Sequence, residues 1–150
     1  MDHSIKAEEL FLSGYSCSQA VVAAFGDLTG LDDSTAKKVS SAFGGGIGRM
    51  REVCGAVSGM FMVLGLLYGY DDADAKEAKK ELYKQVQALA GEFSAKNASI
   101  ICRDILKNPP SDPNPSPRTE EYYKHRPCSS MVVFAARLLD KFIAEHPLEK

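Results

Sequence analysis

The stretch Glu52-Val53-Cys54-Gly55-Ala56-Val57-Ser58-Gly59-Met60-Phe61-Met62-Val63-Leu64-Gly65-Leu66-Leu67-Tyr68 decides how this chain folds. It is apolar on every side of a helical wheel, and such a helix belongs either at the centre of a core or in a bilayer. The uncharged run from Val53 to Tyr70 approaches the roughly 20 residues that a membrane span needs. However, Gly55, Ser58, Gly59, Gly65 and Gly69 interrupt it, and no basic cluster follows it. The reading is a buried central helix. Gly55 and Gly59, four apart, leave a smooth strip where a second helix can approach closely.

Helical signals continue on both sides. Downstream, Ala75, Ala78, Leu82, Val86, Leu89 and Phe93 recur at three and four residues, predicting a long amphipathic helix over 72–96. A short helix is expected from Ser99, carrying Ile101, Cys102, Ile105 and Leu106. Residues 108–127 hold six of the seven prolines and are read as one extended loop without a helix. Tyr122, Tyr123, His125 and Arg126 stand near its end, placed to fold it back over a site. A last helix is expected over 129–145. Upstream, a helix over 5–12 stops before Gly14. Ser16-Cys17-Ser18-Gln19 fits a capping box opening a second helix, with Gly30 as its stop. A third starts after Asp32 or Asp33 and ends in Gly44-Gly45-Gly46-Ile47-Gly48, too glycine-rich to stay helical. The expectation is an all-α fold. It is a single domain over 1–150, a bundle of five to seven helices around the buried apolar helix. The glycine strip and the long fifth helix also offer surfaces for a homodimer.

At 150 residues the chain can bury a full core. Its net charge of −2 supplies no basic excess for phosphates, so nucleic acid is not expected as a partner. The start, Met-Asp-His-Ser-Ile-Lys, lacks a charged-then-apolar signal pattern, which makes the cytoplasm the expected location. There, four cysteines suggest thiol chemistry or a metal more than static bridges.

The cysteines are Cys17, Cys54, Cys102 and Cys128, and no two form a Cys-x-x-Cys pair. Their positions say more than their spacing. Each falls at or near a predicted helix start, where unpaired N–H groups and a partial positive charge favour a thiolate. Cys54, just after the glycine loop, has the best-placed thiolate on this reading. Scattered packing cysteines, the bland alternative, have no reason to prefer helix starts. In the loop, the backbone of Gly44, Gly45, Gly46 and Gly48, next to Arg49 and Arg51, can offer N–H groups to an anion, a partner or the Cys54 sulfur. The alternative is a tight turn between helices. It matches neither the phosphate-binding loop nor the dinucleotide fingerprint. His3 and His146 read as solvated. His125, three residues before Cys128, reads as a loop histidine or a ligand. Ser58 has no triad setting.

The order of Tyr-Ser-Cys17-Ser-Gln-Ala, Phe43-Gly-Gly-Gly-Ile-Gly-Arg-Met, Cys54-Gly-Ala-Val-Ser-Gly59, Ile-Cys102-Arg-Asp-Ile-Leu and finally Cys128 resembles the redox-active family called C_GCAxxG_C_C, from about Gly14 to Leu139. The resemblance implies four functional cysteines, and a link to membrane transporters. A related module in split-Soret cytochromes c hints at electron transfer and an iron–sulfur centre. The Cys-x-x-Cys-His needed for covalent haem is missing here.

Three functions are therefore open. The first is thiol–disulfide redox through Cys54 with Cys17, Cys102 or Cys128, facing an unidentified redox partner. No cofactor is assigned to it. The second is an iron–sulfur or zinc site made by the same four sulfurs. The third is a non-catalytic accessory protein associated with a transporter.

Overall fold

The computed structural model describes residues 2–148. It is all-α: α1 (Ser4–Leu12), α2 (Cys17–Ala24), α3 (Gly26–Thr29), α4 (Asp33–Ser40), α5 (Gly55–Tyr68), α6 (Lys76–Asn97), α7 (Cys102–Leu106), α8 (Glu120–His125) and α9 (Cys128–Glu145). A single turn of 3-10 helix, Ser41–Phe43, follows α4. Among the described residues, six of the nine helices have eight residues or more and build the bundle. No helix among the described residues is long and apolar enough to cross a membrane.

The core forms around the pair α2 and α5. The capping box expected at Ser16 is present: Ser16 Oγ accepts from the Gln19 N–H, and Gln19 Oε1 accepts from the Ser16 N–H at 3.1 Å. It fixes where α2 starts, and α2 then buries Ser18 and every residue from Ala20 to Ala24. These side chains are small, so α5 can lie close. A Cβ added to Gly59 would sit 3.0 Å from the Ser18 carbonyl oxygen and 3.1 Å from the Val21 Cβ. The glycine strip is thus used inside the monomer, by α2. α1 and α9 pack on α2 and on each other, α9 also packs on α5, and α6 contacts α5 and α9. The α2–α5 pair carries much of the apolar mass, with Val21, Val22, Val57, Met60, Val63 and Leu64 fully buried.

Several expectations change. The helix read from Asp72 begins at Lys76, because the Asp72 carboxylate accepts the Asp74 N–H and closes a turn of its own. The proline-rich stretch contains α8, started by Thr119, whose Oγ1 accepts from the Tyr122 N–H, with Glu120 and Glu121 in the first turn. His3 is not solvated; it is 5% exposed and stacked on Phe25 at 4.2 Å. Its Nδ1 lies 2.6 Å from the Asp140 carboxylate and its Nε2 3.0 Å from that of Asp27. Those contacts tie the first turn of α1 to α3 and α9. His146 is exposed, as read, although it stacks on Phe142.

Because Gly59 meets backbone rather than a movable side chain, Gly59→Ala should destabilise the protein by about 1–3 kcal/mol. Gly65→Ala, where the new Cβ meets nothing within 4 Å, should be neutral or stabilising by up to about 1 kcal/mol. Thermal melts of the two variants check this; equal midpoints would count against the close crossing.

Candidate functional site

Two devices bring the cysteines together. The first is the start of α5. Gly55 approaches so closely that a Cβ there would be 3.2 Å from the Cys17 Cβ and 3.1 Å from the Phe43 carbonyl oxygen. Cys54, the N-cap of α5, is thereby set beside Cys17, the first residue of α2. The second is a backbone clasp. The Cys54 N–H donates to the Ile100 carbonyl at 2.7 Å, and the Cys102 N–H donates to the Glu52 carbonyl at 2.6 Å. Val53 and Ile101 form an isolated antiparallel bridge between them. This pairing draws residues 52–54 out of the helix that the apolar run predicted from Glu52. It also joins two cysteines 48 positions apart, 102 − 54. Cys128 enters from the opposite end of the molecule's chain order, as the first residue of α9 after Pro127.

All four cysteines line one cavity of about 60 Å³, together with Gly45, Gly46, Arg51, Tyr122, Arg118, Arg126 and Met131. Each is the first residue or the N-cap of its helix, as the sequence positions indicated. Beside it opens a larger chamber of about 300 Å³, lined by Gly44, Gly45, Gly48, Arg49 and the proline-rich segment. Ser16, Gly45, Arg51, Arg118, Tyr122 and Arg126 belong to the walls of both.

The glycine loop has an unusual backbone. Its φ angles are positive from Gly45 through Arg49 and again at Arg51, a left-handed path that costs about 1–3 kcal/mol at each non-glycine residue. Ile47, Arg49 and Arg51 occupy it without being glycine. At Gly46 no side chain fits: a Cβ would lie 2.7 Å from both the Arg51 Cα and the Cys102 Cβ. The N–H groups of Ile47, Gly48, Arg49, Met50, Arg51 and Glu52 all donate to carbonyls within the loop or just before it. Of the four glycines read as donors, Gly48 is thus already engaged, and the loop also presents arginine side chains.

Those side chains hold the proline-rich segment over the site. Arg49 donates to the Asp112 carbonyl at 2.7 Å and to Ser116 Oγ at 2.8 Å, and Arg51 Nε donates to the Pro110 carbonyl at 2.8 Å. Arg118 reaches across to the Phe11 and Tyr15 carbonyls, each at 3.1 Å. Its guanidinium lies over the rings of Phe11 and Tyr122. Of the four residues placed to fold the loop back, Tyr122 and Arg126 reach the cavity. Tyr123 packs edge-on against Phe11, and the side chain of His125 lies outside the described residues. Arg118 escapes a reading of sequence alone, because it follows a proline run with no periodicity to place it.

The thiols are not equally poised. Burial pushes Cys54 up to about 12 despite N–H donors from Ala56 and Val57. From an ordinary 9.0 that is roughly 4 kcal/mol against the thiolate. A helix N-terminus favours a thiolate by only about 0.3–2 kcal/mol, so burial outweighs it at Cys54. Burial also raises Cys102, although Arg51 Nη1 lies 3.7 Å from its sulfur. Cys17 and Cys128 titrate against each other: a hydrogen bond with Cys128 and burial raise the Cys17 pKa well above its ordinary value. That bond, with Arg126, Arg118 and Arg51 nearby, brings Cys128 down to about 7 against its burial.

All four cysteines are free thiols. Among the described residues, no three His, Cys, Asp or Glu side chains are grouped closely enough to hold a metal ion. The sulfurs share a cavity without forming such a ligand set.

Since Cys128 is held near 7 and Cys54 near 12, alkylation by iodoacetamide should label Cys128 first. Its rate should rise as pH increases through about 7 and level off above, where the thiolate is fully formed. Cys17→Ala should move that midpoint upward. Peptide mapping of label against pH reads both, and first labelling at Cys54 would contradict the assignment. No curated protein and no solved structure matches the chain. A family model described as "Putative redox-active protein (C_GCAxxG_C_C)" matches residues 15–142, a span that begins beside Cys17 and contains all four cysteines, both arginine-bearing loops and most of α9. The chain belongs to the C_GCAxxG_C_C family of redox-active proteins.

Proposed function

We propose that this protein carries out thiol–disulfide exchange, with Cys128 as the nucleophile and Cys17 as the resolving thiol. The observation that carries the reading is that Cys17 and Cys128, each the first residue of its helix, line one cavity walled by three arginines. A proton held on one sulfur and a charge held on its neighbour is the state an exchanging pair needs before attack.

The Cys128 thiolate attacks one sulfur of a substrate disulfide. A new S–S bond forms to Cys128, the substrate S–S bond breaks, and the first substrate thiolate leaves. Cys17 then loses its proton to that leaving group and attacks the Cys128 sulfur, which expels the second substrate thiolate. Two protein thiols are oxidised to one disulfide, and the substrate disulfide is reduced to two thiols. A thiol near neutral pKa suits the first step, because nucleophilicity falls with pKa while thiolate fraction rises. Cys54, pushed up to about 12, remains a thiol throughout.

Treating the fully reduced protein with hydroxyethyl disulfide and mapping the product tests this. The expected product carries a Cys17–Cys128 bridge with Cys54 and Cys102 reduced. Cys17→Ser should instead accumulate a mixed disulfide on Cys128, and Cys128→Ser should slow the reaction by at least about tenfold, the cost of losing the preferred thiolate. A bridge between Cys54 and Cys102 with the other pair untouched would refute the assignment.

A further inference from the structure

We infer that the arginine-lined chamber outside the cysteine cavity binds the acid group of a small anionic disulfide and delivers its sulfur to Cys128, an inference that rests on the exchange reading above. The chamber's volume of about 300 Å³ is at the lower end of small-molecule sites. Arg49, Arg51, Arg118 and Arg126 line it, and no Asp or Glu among the described residues does. One carboxylate, Asp112, pairs with Arg49 at 3.3 Å. A surplus of positive charge is thus collected at one place in a chain whose net charge is −2.

That charge is positioned but largely uncompensated. Arg51 is 5% exposed and bonds to a carbonyl and to the Cys102 sulfur. Arg118 bonds to two carbonyls. Arg118 and Arg126 both lie over the Tyr122 ring, at 5.0 and 5.2 Å. Carbonyls and rings hold a guanidinium still without cancelling its charge, and a planar fork so held matches a carboxylate or sulfonate.

Size sorts the two ends of the ligand. The inner cavity of about 60 Å³ is room for about two water molecules. It admits a sulfur atom and little else, so the charged arm must stay in the outer chamber. The six residues shared by both walls make the passage between them. The arginines serve twice there: they anchor the substrate's acid, and they face the negative charge of the attacking sulfur.

Three aliphatic disulfides of graded charge test the inference: dithiodipropionate (a dianion), hydroxyethyl disulfide (neutral) and cystamine (a dication). Rates of bridge formation are measured for each and divided by the same reagent's rate with free mercaptoethanol, which removes differences in leaving group. The dianion should exceed the dication by about tenfold or more at low ionic strength, and the ratio should shrink as salt is added. Arg49→Gln should lower the dianion-to-neutral ratio several-fold, while Arg49→Lys should retain most of it. Equal normalised rates for the three reagents, or a ratio unmoved in Arg49→Gln, would overturn the chamber's role while leaving the exchange pair standing. A protein inert to all three would overturn the exchange reading and this inference together.

Discussion

Where α5 begins, the hydrogen of Gly55 faces the Cβ of Cys17, the Ser18 backbone and the Phe43 carbonyl, all within the reach of a single methyl group. One turn later Gly59 faces the Ser18 carbonyl in the same way. Interiors pack to crystal-like density, so two helices come this close only where side chains are absent. The site depends on that approach. It sets the Cys17 and Cys54 helix starts side by side, and it aims the 3-10 turn and the glycine loop at the gap left between them. Moving α5 outward would open the cavity from its floor and part Cys17 from the residues it faces.

With the sulfurs enclosed, their chemistry becomes a contest between burial and charge. Four helix starts converge on the cavity, and each offers a partial positive end. That is not sufficient for Cys54, where two backbone donors fail to offset burial. Cys128 differs because full charges surround it and a neighbouring thiol donates to it. Full charges outweigh partial ones by a wide margin in a poorly hydrated site. The distinction among four similar positions therefore rests first on the neighbouring Cys17 and then on Arg126, Arg118 and Arg51, contributed by the residues flanking α8 and by the loop before α5.

The sequence is most legible where periodicity or chemistry is local. The apolar run of α5, the capping box at Ser16 and the four cysteines at helix starts each follow from neighbouring residues alone, and all are present in the structure. The all-α class follows from the same local patterns. Long-range pairing was not legible. Nothing near Glu52 announces that residues 52–54 will bond to residues 100–102, a partnership that shortens α5 and joins Cys54 to Cys102. The identity of the poised thiol was hidden for the same reason, since Arg118 and Arg126 act on Cys128 through space. α8 also has a local signal, Thr119 followed by two glutamates, which the reading of 108–127 as one proline-rich loop did not use. His3 shows the limit of judging exposure from chain position, because two distant carboxylates bury it.

The placement of strain makes the arginine loop the most telling part of the molecule. A chain seeking only stability would put glycine or asparagine at left-handed positions, yet Ile47, Arg49 and Arg51 all take them. It would also avoid a guanidinium that is 95% enclosed without a carboxylate at Arg51, since desolvating a charge is costly. Both costs fall within a few residues of each other, between two glycines that admit Cys102 and the α5 start. Folding stability elsewhere, in the α2–α5 core and the His3 contacts, must offset them. The return for that expense is geometric. A left-handed path turns Arg49 and Arg51 toward the same side, so that one clamps the proline-rich cover and the other reaches the sulfurs. Without Arg51 at that place, the Cys102 thiol would keep its burial and lose the guanidinium 3.7 Å from its sulfur.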